Sequence, residues 1–398
     1  MNAASLVCLA LALPAAAVSS APVRGVHLTA WVAGAPKERR AFLDQLKGTL
    51  VNAVVVPVKE YDGNVYLPGV GGAAELGTVR IVISDPAALV ADIKARGLRA
   101  IARVVVFKDN TLARRRPEWA IHDEDGALWT NKKGVAWVDP YRKEVWDYNI
   151  EVALAAARAG FDEVQFDYIR FPSDGDTTRC RYSKADHSSA SAAAALDDFL
   201  ALARRRLDAA GVGMSAAVFG LTTTAHDDMG IGQNLGRMTR LIDAVSPMMY
   251  PSHYAKGEYG LADPNRQPYK IISWGLRDAK RRLGSAAKLR PYLQDFSLGF
   301  RYGPAEVRAE LRAARRQGVE SWILWNPLNR YTWSALGPFT EAESTPLPGE
   351  EEQAGPASSK PAAAVPASAP AAAPGPQDLP PLPDDRALQE AIDKEEIL

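Results

Sequence analysis

Cysteine, histidine and net charge are all scarce in this sequence of 398 residues. It contains two cysteines and five histidines, so neither a disulfide scaffold nor a cysteine–histidine metal cluster is expected, and no cofactor is implied. The 47 basic and 47 acidic residues cancel, which argues against nucleic acid or an anionic membrane as the main partner. No apolar run is long enough to cross a bilayer, so no transmembrane segment is predicted.

The two ends of the chain differ in composition from its middle. Residues 1–21 contain an alanine-rich apolar stretch followed by small residues, a pattern typical of a cleaved signal peptide. We therefore expect an exported protein, either periplasmic or secreted. Residues 341–383 are rich in proline and alanine and are expected to form a disordered linker. Residues 384–398 form a short acidic tail that is long enough for one helix, which leaves residues 23–340 as the predicted folded domain.

A helix end followed by an apolar strand recurs along this domain. Glycine suits the left-handed residue that closes a helix, and an apolar run begins soon after Gly97, Gly160, Gly211 and Gly318. Because no glycine-rich phosphate loop follows the first strand, the pattern favours a closed barrel over an open doubly wound sheet. We predict the α/β class, a (β/α)8 TIM barrel with a long loop after strand 3. Its eight strands are expected at residues 25–31, 52–59, 98–107, 162–171, 213–220, 244–250, 289–296 and 320–326.

The fourth predicted strand, DEVQFDYIRFP, carries a carboxylate at its end. Successive strand residues point to opposite faces, so Gln165 and Asp167 share the face expected to line the barrel, near the mouth where TIM barrels do their chemistry. A buried carboxylate requires a partner, a proton or a function. Arg103 and Arg170 are candidate partners, and a structural aspartate–arginine pair at the mouth is the alternative to a catalytic role.

The seventh predicted strand, LRPYLQDFS, brings Gln294 and Asp295 to the same end of the barrel. Strands four and seven lie on opposite sides of the ring. Two carboxylates that face each other across a cleft are what glycosidic bond hydrolysis requires. Asp167 and Asp295 are therefore predicted as the catalytic pair, and the alternative for Asp295 is a cap on the following loop.

Further polar and aromatic residues lie at the predicted strand ends. Three more acids, Glu60, Asp62 and Glu258, are alternative proton donors, although Asp62-Gly63 is also a turn signal. The basic residues at the mouth either favour an anionic glycan or simply neutralise Asp167. The loop at 108–140 contains three tryptophans, which line a carbohydrate groove or pack within the loop. The residues predicted to bind substrate are Trp31, Lys59, Arg103, Gln165, Arg170, Tyr250, His253, Gln294, Trp325 and Asn326.

Several strings in order resemble a bacterial family of glycosyl-hydrolase-like domains of unknown function, remotely similar to the α-amylase clan. They include RGVHLTAW, NAVVVPVKEYDG, FDEVQFDYIRFP, SPMMYPSHY, RPYLQDF and ESWILWNP. The resemblance implies a TIM barrel and hydrolysis of a polysaccharide or oligosaccharide, here outside the cytoplasm. It also implies a nucleophile at Asp167 and a second aspartate at Asp295.

The sequence departs from that clan at the proton donor. The clan takes a glutamate from strand five, but strand five here reads MSAAVFG and contains no carboxylate. A chitinase-like acid would fall on Ile169. The donor therefore stays open among Asp295, Glu60 and Glu258. Two hypotheses follow, a glycoside hydrolase and a non-catalytic carbohydrate-binding protein on a glycosidase-like scaffold.

Overall fold

Eight parallel strands close into a barrel in chain order, β1 to β8. The computed structural model describes residues 21–340 and Glu343. All eight predicted strands are present, so the α/β class and the TIM barrel are confirmed. The strands are β1 Arg24–His27, β2 Ala53–Lys59, β3 Arg99–Val105, β4 Glu163–Asp167, β5 Gly213–Phe219, β6 Ala244–Met248, β7 Tyr292–Gln294 and β8 Trp322–Trp325.

Helices connect the strands throughout the described part of the chain. The α-helices are α1 Ala30–Gly34, α2 Pro36–Gln45, α3 Gly71–Glu75, α4 Pro86–Lys94, α5 Asn110–Arg115, α6 Lys143–Arg158, α7 Ser189–Ala209, α8 Leu235–Met238, α9 Pro268–Leu283 and α10 Pro304–Arg316. Short 3-10 helices span Pro117–Trp119, Thr177–Arg179, Gly220–Thr223, Pro251–His253, Glu258–Gly260, Pro264–Arg266 and Trp333–Ala335. No helix within residues 21–340 combines the length and the apolar character that crossing a membrane requires.

The predicted helix stops explain how the chain turns back into the barrel. Gly97 follows α4 with φ +72°, and Gly160 follows α6 with φ +95°. Only glycine adopts this left-handed conformation without strain, so each helix ends there and the next strand begins. At the other end of α4, the backbone N–H of Ala88 donates to Asp85 Oδ1 at 2.9 Å and caps the helix.

Apolar side chains fill two layers, one inside the barrel and one between the barrel and its helices. Along β2, Ala53 and Val55 belong to the inner layer, whereas Val54 and Val56 belong to the outer layer. The inner layer is completed by large rings such as Tyr292 and Trp325. The barrel is therefore a packed core with alternating faces, and only its ends are available for a site.

A buried ionic network closes the amino end of the barrel. Arg290 forms hydrogen bonds with Glu163, and Arg99 lies 3.2 Å from the same carboxylate. Burial raises the pKa of Glu163, but the charges and hydrogen bonds of these arginines and Ser215 outweigh burial and hold the pKa below its ordinary value. Because the charges at this end are paired within the protein, the carboxyl end of the strands is the place to look for a site.

The loop after β3 is long, as predicted, and two of its tryptophans pack inside the protein. Trp129 and Trp137 are buried, and Trp129 Nε1 donates to the carbonyl oxygen of Asp176 at 3.0 Å. Trp119 is half-buried with the Arg116 guanidinium 3.9 Å from its ring centre. Internal packing therefore explains Trp129 and Trp137, and neither offers a free surface to a glycan.

The domain includes one acid beyond its predicted end at residue 340. Arg308 on α10 binds Glu343, with Nε 2.6 Å from Oε1 and Nη2 2.8 Å from Oε2. Hydrogen bonds from Arg308, opposed by slight burial, lower the pKa of Glu343 to about 2. The predicted signal peptide, the rest of the predicted linker and the acidic tail lie outside the described residues.

Candidate active site

A cavity opens at the carboxyl end of the barrel. It encloses about 290 Å³, part of it continuous with solvent. Residues at the ends of six strands contribute, which is the arrangement by which TIM barrels build active sites. The lining residues are His27, Arg103, Asp167, Tyr168, Met248, Tyr250, Tyr292 and Trp325.

Asp167, the last residue of β4, lines this cavity as predicted. Its side chain is buried, and both carboxylate oxygens accept hydrogen bonds. Arg103 Nε donates to Oδ2 at 2.8 Å, and the backbone N–H of Tyr168 donates to Oδ1 at 2.6 Å. These two bonds fix the direction of a carboxylate that the barrel holds at the cavity wall.

Arg103 connects Asp167 to a second carboxylate. Its Nη1 donates to Glu60 Oε1 at 2.8 Å, while its Nε binds Asp167. Glu60 directly follows β2 and Arg103 lies on β3, so neighbouring strands bring the two together. One guanidinium therefore bridges two carboxylates at the mouth of the barrel.

Glu60 differs from an ordinary surface glutamate. Burial raises its pKa and is the largest influence; Arg103 opposes the rise, and the charges of Asp62 and Asp167 add to it. Within the described residues, Glu60 Oε2 is buried and has no hydrogen-bond partner. Burial thus favours the protonated form of Glu60 more than solvent favours it in an exposed glutamate, while Arg103 acts in the opposite direction.

The prediction of Asp295 as the carboxylate facing Asp167 is wrong. On β7, Tyr292 points into the inner layer and Leu293 into the outer layer, and Asp295 has the same parity as Leu293. Thr332 occupies both of its oxygens, with the backbone N–H donating at 2.7 Å and Oγ1 at 2.6 Å. The alternative interpretation, a cap on a loop, describes Asp295 correctly.

Burial also changes the pKa of Asp295. Desolvation raises its pKa to about 6, even though the two hydrogen bonds from Thr332 act in the opposite direction. Its charge also contributes to the raised pKa values of Glu310 and Tyr302, which belong to α10 and to the segment before it. The perturbed pKa of Asp295 is therefore a consequence of its position beneath loops and helices outside the cavity.

Lys59 and Arg170, predicted as substrate ligands, also turn away from the cavity. The register between β2 and β3 shifts between Pro57 and Lys59, and this irregularity sends the Lys59 side chain outward. There Lys59 Nζ lies 2.7 Å from Asp109 Oδ2, and both side chains are fully buried. Arg170 Nη1 donates to the Phe171 carbonyl at 3.1 Å and to Ser173 Oγ at 3.0 Å. Both cations hold the protein's own structure.

Two predicted aromatic residues, Tyr250 and Trp325, form one wall of the cavity. Their ring centres lie 5.4 Å apart, and Phe296 packs edge-on against Trp325 at 5.0 Å. Gln165 lies beneath them, fully buried, and accepts a hydrogen bond from the Tyr292 hydroxyl at 2.5 Å. Gln165 therefore positions a lining residue and does not itself line the cavity.

Three other predicted ligands shape the loops around the cavity. Gln294 Oε1 accepts from Ser252 Oγ at 2.8 Å, and the same hydroxyl lies 2.8 Å from His253 Nδ1. Asn326 Oδ1 accepts from the backbone N–H groups of Leu328 at 2.9 Å and Arg330 at 3.1 Å. The prediction of direct substrate contact for these residues is not supported by the cavity lining.

The alternative acids Asp62 and Glu258 do not line the cavity either. Asp62 Oδ1 accepts from the backbone N–H of Asn64 at 2.9 Å, which is the turn that its sequence also indicated. Glu258 lies half-buried on a 3-10 helix after β6, and burial raises its pKa. Of the three alternative acids, the structure connects Glu60 to Asp167.

Trp31 lies on α1, shortly after β1, with the Arg80 guanidinium 4.8 Å from its ring centre. Its side chain is 55% exposed in a protein whose other tryptophans are largely covered. Its ring centre lies 6.4 Å from that of Tyr66, and the charge of Glu60 is among the causes that raise the pKa of Tyr66, after burial. Trp31 and Tyr66 are therefore neighbouring rings, and Glu60 is near enough for its charge to act on Tyr66.

Four of the residues that line the cavity were not predicted from the sequence. His27 ends β1 on the face that Gly25 begins, so counting alternate residues would have found it. Met248 and Tyr292 follow the same rule on β6 and β7. Tyr168 could not have been found this way, because its φ of +49° ends the alternation and turns its ring into the cavity.

The described part of the chain contains no group of side chains suited to hold a metal ion. Among residues 21–340 and Glu343, no three histidine, cysteine, aspartate or glutamate side chains group as ligands for a metal ion. The residues that line the cavity offer a carboxylate, a guanidinium, an imidazole and aromatic rings.

The comparison with family models identifies the family. Residues 25–331 match the model described as "Putative glycosyl hydrolase domain". The chain belongs to this family. No curated protein matches its sequence. The family gives the protein a glycosidase-like function and a carbohydrate as the suggested substrate.

Two solved structures share the fold of this family member, and a third is similar in sequence over about half of the chain. The glycoside hydrolase domain of PgaB from Bordetella bronchiseptica is 14% identical, with a TM-score of 0.59, and the match covers 80% of this chain and 100% of that one. An α-L-fucosidase from Paenibacillus thiaminolyticus is 15% identical, with a TM-score of 0.56 and coverage of 81% and 48%. A hypothetical protein from Ruminiclostridium thermocellum is 32% identical over 48% of this chain and 96% of that one, with a TM-score of 0.44.

Proposed function

We propose that this protein hydrolyses glycosidic bonds with Asp167 at the anomeric carbon and Glu60 as the proton donor. The observation that carries the proposal is the Arg103 guanidinium, which binds both carboxylates at the cavity mouth. Glycosidic hydrolysis requires two carboxyl groups of different character, one that stabilises or attacks a cationic sugar and one that handles protons. The surroundings of Asp167 and Glu60 differ in this way.

Asp167 suits the first role because of its position and its bonds. It lines the cavity, and the bonds from Arg103 and the Tyr168 backbone hold its carboxylate in one orientation. A preoriented negative group beside the reacting carbon stabilises an oxocarbenium-like transition state without reorganisation during the reaction.

Glu60 suits the second role and supplies the acid that strand five lacks. Its pKa is raised, chiefly by burial, so a larger share of it remains protonated near neutral pH than of an exposed glutamate. Its Oε2 has no partner within the described residues. This oxygen can therefore donate to the glycosidic oxygen as the leaving sugar departs.

The rim gives the leaving sugar a place to bind. Glu60 binds Arg103 and its charge acts on the buried Tyr66, and the ring of Trp31, which is 55% exposed, has its centre 6.4 Å from that of Tyr66. Aromatic faces bind the apolar faces of sugar rings. In this arrangement the cleaved bond lies beside Glu60, with one sugar in the cavity and the next on Trp31.

The substrate is proposed to be a polysaccharide or oligosaccharide outside the cytoplasm. Support comes from the alanine-rich apolar pattern in residues 1–21, which is typical of export, and from the carbohydrate chemistry of the family. A reporter fused after residue 21 tests export: accumulation outside the cytoplasm supports it, and retention in the cytoplasm contradicts it.

The enzymatic test uses the purified chain against a panel of envelope polysaccharides and aryl glycosides. Wild-type protein is expected to release sugars, and Asp167→Asn is expected to release about 10³-fold less or lower. Asp295→Asn is the matched control, because it makes the same change on the outward face of β7. Binding of a glycan without release of sugar would favour the alternative, a non-catalytic carbohydrate-binding protein.

A further inference from the structure

His27 is a buried polar side chain that the proposed mechanism does not use. It ends β1, is 1% exposed and lines the cavity together with Arg103 and Asp167. Neither of its ring nitrogens has a hydrogen-bond partner within residues 21–340. Buried polar groups without protein partners are rare, and at the wall of a cavity both ring nitrogens are available to a ligand or to water.

The surroundings of His27 favour the neutral imidazole. Burial is the main cause that lowers its pKa well below the usual value, and the positive charge of Arg103 acts in the same direction. A neutral imidazole has one nitrogen that donates and one that accepts. Sugar hydroxyls both donate and accept, so one ring can bind two hydroxyl groups.

The charges of the cavity indicate which sugars fit. Arg103 is the cationic lining residue, and it is bonded to Asp167 and Glu60. An acidic sugar would therefore meet the Asp167 carboxylate without an unpaired arginine to balance its charge. Lys59 and Arg170, which could have favoured an anionic glycan, bind other protein groups instead.

The shape of the cavity limits how a chain can enter it. The space at this mouth, about 290 Å³, is partly open solvent. The rings of Tyr250, Trp325 and Tyr292 close its inner end, so a glycan can enter it only from the mouth, with the end of the chain beside Asp167 and His27.

We infer that His27 binds hydroxyl groups of one uncharged, chain-terminal sugar residue, with one ring nitrogen donating and the other accepting. The inference rests on the proposed function, because it places this sugar beside Asp167. It makes the protein specific for the neutral end of a glycan, and it makes His27 a specificity-determining residue of the site.

The experiment follows the histidine ring signals of the full chain by NMR in the Asp167→Asn variant, which binds without turnover. Methyl glycosides of glucose, galactose, mannose, fucose and N-acetylglucosamine, in both anomers, are titrated to millimolar concentrations, with methyl glucuronoside as the charged comparison. At least one neutral glycoside is expected to shift the His27 ring signals, and the glucuronoside is not. His27→Asn identifies these signals among the five histidines.

Binding affinities then show whether the sugar contacts the His27 ring or only lies near it. Adding His27→Asn to Asp167→Asn is expected to weaken binding of that glycoside about 10-fold or more, since hydroxyl partners are lost. His226→Asn, a change at an exposed histidine, is the matched control and is expected to leave binding unchanged. Because the NMR measurement keeps His27, a folding defect of the His27 variant cannot hide the answer.

Several results would overturn the inference. They are binding of no neutral glycoside, a preference for the glucuronoside, a bound sugar that leaves the His27 signals unmoved, and equal affinity in the His27 variant. Hydrolysis by the wild-type chain is scored separately. Sugar binding at His27 without any cleavage would refute the proposed function but not the ligand, whereas cleavage with an unaltered KM in His27→Asn would refute the role of His27 alone.

Discussion

The ends of β4 and β7 carry similar sequences, but their aspartate side chains point in opposite directions. Both place an aspartate near a buried glutamine, in QFD at Gln165 and in QD at Gln294. Asp167 stands two residues after Gln165 and keeps its inward direction, where it meets Arg103. Asp295 stands one residue after Gln294 and turns outward, where it meets Thr332. One residue of spacing decides which carboxylate can reach a substrate.

The same rule separates two neighbours at the end of β2. Lys59 is the last residue of the strand and Glu60 follows it, but the register shift next to Lys59 sends its side chain to Asp109 and leaves Glu60 on the side of Arg103. Residue type at a strand end is thus a poor guide to function, whereas the face on which the residue stands is a good one.

The largest effect is expected from exchanging the carboxylate at the end of β4. Asp167→Asn should lower kcat by about 10³-fold or more, because the variant removes the negative charge beside the anomeric carbon. Asp295→Asn should change kcat by less than about 10-fold, since its carboxylate bonds to a loop. Steady-state rates on one glycoside decide this, and equal losses in the two variants would erase the distinction between the strands.

Glu60→Gln is expected to act on proton transfer. It should lower kcat by about 10²- to 10⁴-fold on alkyl glycosides and far less on dinitrophenyl glycosides, whose leaving groups need no proton. Because the pKa of Glu60 is raised, wild-type activity should persist above pH 4.5 and decline as pH rises through the higher pKa, when the acid is lost.

The decline of wild-type activity as pH rises supplies the control for Glu60. This decline, measured on alkyl glycosides, should be absent from the residual activity of Glu60→Gln. If the variant keeps the wild-type pH profile, or loses the same factor in kcat with both kinds of leaving group, the acid is another residue.

Lys59→Met tests the outward neighbour through stability. The variant leaves Asp109 fully buried without its cation, which should cost about 3–5 kcal/mol of unfolding free energy. Lys94→Met is the matched control, because Lys94 pairs with Asp162 at the surface, where such pairs contribute about 1 kcal/mol or less. Urea unfolding measures the unfolding free energy of both variants. A raised KM with unchanged stability in Lys59→Met would instead mean that Lys59 binds substrate.

Because Asp295 is buried, the stability of the folded chain should depend on pH. Its pKa is about 6 in the folded chain against an ordinary value of 3.8, so the folded state holds the extra proton between these values. Stability from this group is therefore present at low pH and lost as pH rises from about 4 to 6, by about 3 kcal/mol. Subtracting the urea unfolding profile of Asp295→Asn isolates this contribution, and coincident profiles would contradict it.

The smallest effect is expected at the rim. Trp31→Ala should raise KM for oligosaccharides by about 5- to 10-fold, which corresponds to the loss of one aromatic contact. KM for a short aryl glycoside, which ends before Trp31, should stay the same and serves as the control. Equal changes for both substrates would place Trp31 inside the cavity subsite.

The fold was predictable because its signals are local. Glycine helix stops, each followed by an apolar run, mark four of the turns from helix to strand, at Gly97, Gly160, Gly211 and Gly318. Asp167 and Arg103 were predictable as cavity residues because β3 and β4 are long enough for alternation to be counted.

The rest of the site depends on features that one sequence does not display. The register shift beside Lys59 and the positive φ of Tyr168 are local backbone irregularities that alternation along a strand does not reveal. The bridge from Arg103 to Glu60 joins residues 43 positions apart. Asp295 was within reach of parity counting from Leu293, so its misassignment came from weighing residue type above strand face.

The most direct measurement of the central claim is a crystal structure of Asp167→Asn soaked with an oligosaccharide that the wild-type chain cleaves. The account predicts a sugar ring in the cavity with its anomeric carbon beside residue 167 and the glycosidic oxygen within hydrogen-bond distance of Glu60. A sugar bound instead against Asp295, or a glycosidic oxygen out of reach of Glu60, would contradict it.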